Sequence, residues 1–165
     1  MTDEEMRNRV TLNEEHRPAI SFPAGAPNPR GRRGVVAIIL RDNTFLVIRR
    51  SQQVAAPGLI CFAGGGIEAG ESPAEALIRE MDEELSLDVR PVEQVWDSVT
   101  SWGTSLCWWT AEIAADAVPV PNPAEVAEVF WLSPEQLSEQ AGLLPSMPQF
   151  LAAWRAGLFE LPISP

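Results

Sequence analysis

Residues 65–87 read GGIEAGESPAEALIREMDEELSL. Ser72 is a favourable helix N-cap, Pro73 suits the first helical position, and Glu75 stands where a capping box needs it. The spacing predicts a helix from Pro73 to about Leu85. At about 100° per residue, Leu77, Met81 and Leu85 share an apolar stripe joined by Ile78. Glu80, Glu83 and Glu84 form a second stripe beside it, so their carboxylates are expected to converge just off the buried face. Like charges at this spacing repel, by about a few tenths of a kcal/mol per i,i+4 pair. The trio therefore reads either as a solvated acidic face or as oxygen ligands for a hard cation such as Mg²⁺. Before the helix, Ala63-Gly64-Gly65-Gly66 reads as a flexible loop where backbone can approach a ligand.

The flanking segments supply a sheet. Val35 to Leu40 is a continuous apolar run typical of a buried strand, Arg41-Asp42-Asn43 reads as a turn, and Thr44 to Arg49 completes a hairpin. Pro57-Gly58 breaks the chain before a short strand, Leu59 to Phe62. Residues 89–100 and 104–114 read as two strands joined through Ser101-Trp102-Gly103. Val118 to Pro123 is a loop and Val126 to Leu132 a last strand. Ser133-Pro134 repeats the cap-plus-proline signature of a short helix, and Met147 to Ala156 forms the C-terminal helix. Hairpins mixed with crossovers predict an α/β fold with a mixed sheet and helices packed on it.

Composition bounds the chemistry. The 165 residues fit one domain, and 45% hydrophobic with 21% charged residues is a globular profile. No apolar run approaches the ~20 residues needed to span a bilayer, and Met1 to Val10 is too polar for a secretory signal, so the expected compartment is cytoplasmic. Residues 1–33 read as an N-terminal arm or tail, with the folded domain over 34–165. Within that arm Arg30-Gly31-Arg32-Arg33 is a basic cluster, read as a solvated linker, with phosphate contact as the alternative. A net charge of −11 argues against a duplex nucleic-acid partner. Cys61 and Cys107 lie in apolar surroundings and read as buried thiols. His16 is the single histidine, which leaves catalysis to carboxylates.

Written by spacing, the central stretch is Gly65, five residues, Glu71, seven residues, then Arg79-Glu80-Met81-Asp82-Glu83-Glu84-Leu85-Ser86-Leu87. This closely resembles the Nudix box, with Ser86 where that family has glycine. The resemblance extends over about residues 34–160 and implies an α/β/α sandwich. It implies hydrolysis of a phosphoanhydride bond in a nucleoside diphosphate linked to another moiety, with Mg²⁺ as the metal and Mn²⁺ able to substitute. Glu80, Glu83 and Glu84 would ligate the metal, Glu83 and Glu84 being catalytic, while Gly65, Glu71 and Arg79 would brace the site. The family's general base varies in position; Glu125, six residues before Trp131, is the candidate and Glu128 the competitor. Serine at 86 should cost roughly 1 kcal/mol where glycine turns left-handed cheaply.

Substrate choice is less legible. Arg49, Arg50 and Trp102 are candidate substrate contacts, and Trp96, Trp108 and Trp109 are further candidates for base stacking. Alternation puts Trp108 and Trp109 on opposite faces. The expected partner is a small nucleotide-like molecule, not a membrane, with a homodimer left open. Two other readings of the fold are a binding module that has lost turnover and an isoprenoid diphosphate isomerase using Cys61. The intact glutamates count against the first, and the complete box and a buried Cys61 against the second.

Overall fold

The computed structural model describes residues 31–165. The expected arm and His16 therefore lie mostly or wholly outside the described residues, and β1 (Arg33–Arg41) opens one residue before the expected domain start. Both halves of the sheet are built on this strand. Its first part pairs in parallel with β6 (Ser105–Glu112) along one edge. Along the other edge it pairs antiparallel with β4 (Gly64–Gly66). Its end turns through Asp42-Asn43 into β2 (Thr44–Arg50). Both turn residues have positive φ, 49° and 59°, as a two-residue type I′ hairpin requires. β2 then pairs with β3 (Ile60–Cys61) and β7 (Val126–Leu132), while β5 (Arg90–Val99) lies outside β6, giving seven strands.

The helices cover both faces. α1 (Pro73–Leu85) starts with both bonds of the capping box: Glu75 N–H donates to Ser72 Oγ at 3.2 Å and Ser72 N–H to Glu75 Oε2 at 2.8 Å. α2 (Pro134–Glu139) carries a second box on Ser133 and Gln136. α3 (Ser146–Arg155) places Phe150 against Trp108, their ring centroids 5.1 Å apart and nearly parallel. Gly65 pairs with Val35 and has Glu80 of α1 above its Cα. Directly paired residues share a face, so α1 lies on the face of Val35, Cys107 and Trp109, and α3 on the opposite one with Trp108. This is the α/β/α layering expected. Trp108 is fully buried and Trp109 only partly, and Cys61 and Cys107 are both buried as predicted.

Two local expectations are corrected. Ala63 to Gly66 is not a flexible loop: Gly64–Gly66 is β4, held in register by β1. Ile78 does not join the apolar stripe and is 44% exposed. The buried arc of α1 runs through Ala76, Leu77, Glu80, Met81, Glu84 and Leu85. It is centred on Leu77 and Glu84, which leaves Ile78 and Glu83 just outside either edge.

Ser86 closes the helix at φ 49° and ψ 40°, with its N–H on Asp82 O at 2.9 Å. That left-handed geometry is unfavourable for any residue with a Cβ. Ser86→Gly is expected to raise the unfolding free energy by about 1 kcal/mol, measured by urea titration; no gain would show that the serine's own contacts offset the strain.

Candidate active site

A helical carboxylate can approach sheet backbone most closely where the opposing residue has no side chain. At Gly65, an added Cβ would fall 2.3 Å from the Glu80 carboxyl group, so alanine there would displace that carboxylate. At Gly64 an added Cβ would fall 2.1 Å from Val35 O, and the Gly64 N–H donates to Glu84 Oε2 at 3.0 Å. β4 is thus both a floor for Glu80 and a hydrogen-bond donor to Glu84. These two residues, 8% and 5% exposed, are two of the three buried polar side chains among the described residues.

Glu125 joins them from outside the helix. Carboxylate oxygens of Glu80, Glu84 and Glu125 all lie within 4.8 Å of one another. The segment before Glu125 is strapped across the end of α1, where Val120 N–H donates to Leu85 O at 2.7 Å and Asn122 N–H to Glu84 O at 2.8 Å. These bonds satisfy carbonyls that a helix end leaves open. Ser51 fixes the other side: its N–H donates to Glu125 O at 2.9 Å and its Oγ to Ala124 O at 2.7 Å. Ser51 is the third buried polar residue. Its role was missed from sequence, because a lone serine after a strand has no local signature.

Arg79 organises the acidic wall. It donates from Nε and Nη2 to both Glu71 oxygens, at 2.9 and 3.0 Å, from Nη1 to Glu80 Oε1 at 2.8 Å, and from Nη2 to Gly66 O at 2.8 Å. Glu83, half-exposed, accepts from Arg79 Nη1 at 3.2 Å. The structure therefore brings Glu80, Glu84 and Glu125 together and leaves Glu83 beside them. Arg79's bond holds the Glu71 carboxyl below its ordinary range. Burial, against Arg79's opposing charge, pushes Glu80 up. Burial, reinforced by Glu80 and Glu125, pushes Glu84 up to about 8. An apo site with such a proton affinity fits a cation-binding set of carboxylate oxygens.

A cleft of about 820 Å³ opens over this wall, lined by residues 66–71, Arg79, Glu80, Glu83, Glu125 and, unexpectedly, by Arg32 and Arg33. The other candidates lie elsewhere. Arg49 donates to Glu128 Oε2 at 3.1 Å and to Gly58 O at 3.3 Å and covers the Phe130 ring. Glu128 is thereby paired away from the cluster. Arg50 Nε donates to Ala55 O at 2.7 Å, although its charge still acts on Glu84. Trp102 lies between β5 and β6 and is not among the residues lining the cleft. Burial raises the Cys61 thiol to about 11, far from the ionised nucleophile an isomerase would need.

A profile described as the NUDIX domain matches residues 30–154. The chain belongs to the Nudix family. A protein of Escherichia coli named CTP pyrophosphohydrolase is 33% identical over 122 residues, covering 74% of this chain and 90% of that protein. A Nudix hydrolase of Pseudomonas aeruginosa with no assigned activity is 30% identical over 150 residues, covering 87% and 89%. The solution structure of the E. coli ORF135 protein superposes with a TM-score of 0.56 at 29% identity, covering 76% of this chain and 91% of that one. The chain is therefore a Nudix-type hydrolase, of a family that hydrolyses pyrophosphate linkages in small nucleotide-like molecules. Among the described residues no helix is long and apolar enough to cross a membrane.

In this Nudix domain the folded pKa of Glu84, about 8, lies above its ordinary 4.5. The folded state then holds the proton more tightly than the unfolded chain, so this contribution is full below about 4.5 and is lost as pH rises through 8. With chelator present, the urea midpoint of the wild type is expected to fall between pH 5 and 8, and that of Glu84→Gln to fall less. Parallel profiles would contradict the burial argument.

Proposed function

We propose that this Nudix hydrolase cleaves a phosphoanhydride bond in a nucleoside diphosphate linked to another moiety, with Mg²⁺ in the glutamate cluster and Mn²⁺ able to replace it. The convergence of Glu80, Glu84 and Glu125 at the wall of an open cleft carries this reading. All the donors are carboxylate oxygens, the set hard divalent cations take. When bound, such a cation supplies the positive charge that lets a polyanion approach this wall and stabilises charge at phosphorus. The name of the E. coli relative, CTP pyrophosphohydrolase, supports a nucleotide substrate.

The chain's own groups then divide the work. Glu80, Glu84 and Glu125 hold the cation, so Glu125 joins the ligands instead of standing apart as base. Arg79 and Glu71 keep Glu80 at its place over Gly65. Glu83 is half-exposed on the cleft wall and outside the convergent trio. It is the carboxylate we assign to accept the proton of the attacking water. Arg50, near Glu84, remains a candidate phosphate contact, while Arg49 and Trp102 would act only from outside the cleft wall. Every group in this scheme comes from one chain, so it requires no second copy.

A panel of nucleoside diphosphate derivatives and nucleoside triphosphates with Mg²⁺ is expected to yield nucleoside monophosphate from at least one compound. Glu83→Gln and Glu84→Gln should each lower kcat/KM by about 100-fold or more. Unchanged turnover in both variants would contradict the assignment. No turnover across the panel would favour a binding module.

A further inference from the structure

The cleft has one acidic wall and one basic edge, and the basic edge has no assigned role. Of the three arginines lining it, Arg79 is engaged by Glu71, Glu80, Glu83 and Gly66 O. Arg32 and Arg33 are exposed. Among the described residues Arg33 has one weak side-chain contact, Nη2 to Cys107 Sγ at 3.7 Å, and the Arg32 guanidinium has none. Their backbone, by contrast, is fixed: Ile67 N–H donates to Arg33 O at 2.9 Å and Ser105 N–H to Arg32 O at 3.1 Å. Arg33, the first residue of β1, and Arg32, just before the strand, thus bring two cations with free donors to a cleft that also holds Glu68, Glu71, Glu80, Glu83 and Glu125.

Register sets the reach. Glu80 lies over Gly65, which pairs with Val35. Arg33 is two residues before Val35 on the same strand, so it shares that face and starts about 7 Å along it. An arginine side chain spans such a gap and offers a planar fork suited to phosphate oxygens. Metal ions at the glutamates can neutralise only the phosphates they touch. We propose that Arg32 and Arg33 form an anion subsite for phosphate oxygens of the substrate beyond the metal cluster, favouring polyphosphates over nucleoside diphosphates joined to a neutral group. This rests on the proposed phosphoanhydride hydrolysis, whose cleft it shares.

The direct test is calorimetric binding of inorganic tripolyphosphate to the Mg²⁺-saturated protein, for wild type and for the double variant Arg32→Gln/Arg33→Gln. The wild type is expected to bind, and the double variant about tenfold more weakly, with a shallower salt dependence. Arg32→Lys/Arg33→Lys, which keeps the charge and loses the fork, should bind more tightly than the Gln variant and more weakly than the wild type. Both arginines are exposed, so unfolding midpoints should match the wild type. In turnover of a nucleoside triphosphate, the Gln variant should raise KM about tenfold with kcat within about twofold, and leave KM for a nucleoside diphosphate sugar unchanged. Equal tripolyphosphate binding by wild type and Gln variant, or no binding by either, would overturn the subsite. So would an equal KM rise for both substrate classes. If the wild type hydrolyses nothing, the proposed function falls, while the binding measurement still decides the arginines.

Discussion

The contact between Glu80 and the bare backbone of Gly65 is the constraint from which the site is built. A carboxyl group occupies the space of the missing Cβ, which sets how closely α1 can approach the sheet. That distance lets Glu84, one turn on, reach the Gly64 N–H. It also lets the strap before Glu125 close on the last carbonyls of α1. The pairing of β4 with β1 holds the glycines in place, and the parallel pairing of β1 with β6 anchors β1 in the sheet. Arg33 is carried to the cleft by that same strand.

Burying like charges together opposes folding, since each carboxylate loses hydration and gains repulsion. The structure offsets part of this with Arg79 and with one backbone donor, and leaves Glu84 with its affinity for a proton raised. A cation of two charges relieves the same repulsion. The carboxylate cluster by itself thus opposes folding, a common arrangement where geometry serves chemistry over stability.

Much of this was legible in the sequence because the signals were local. The capping box on Ser72 and Glu75 fixed the start of α1, and the box spacing fixed its glutamates. Asp42-Asn43 marked the hairpin, since few residue pairs accept positive φ twice. What failed was non-local. Three glycines have little strand propensity, so β4 looked like a loop; only Val35 and Glu80, distant in sequence, give those glycines their role. Helix spacing grouped Glu83 with Glu80 and Glu84, and Glu83 does share Arg79 Nη1 with Glu80, but the spacing could not show that the buried arc, centred on Leu77 and Glu84, leaves Glu83 half-exposed. Glu125 was found from its spacing to Trp131, but not Ser51 that holds it, nor the placement of Arg32 and Arg33, whose cluster resembled a linker.

The central claim is that Glu80, Glu84 and Glu125 form one cation site over the glycine strand. Crystals soaked in Mn²⁺ and measured at the manganese absorption edge test it most directly. An anomalous peak is expected within direct coordination distance of oxygens from all three glutamates, lost in Glu84→Gln. A peak held by Glu83 without Glu84 and Glu125, or no peak at this cluster, would contradict the claim.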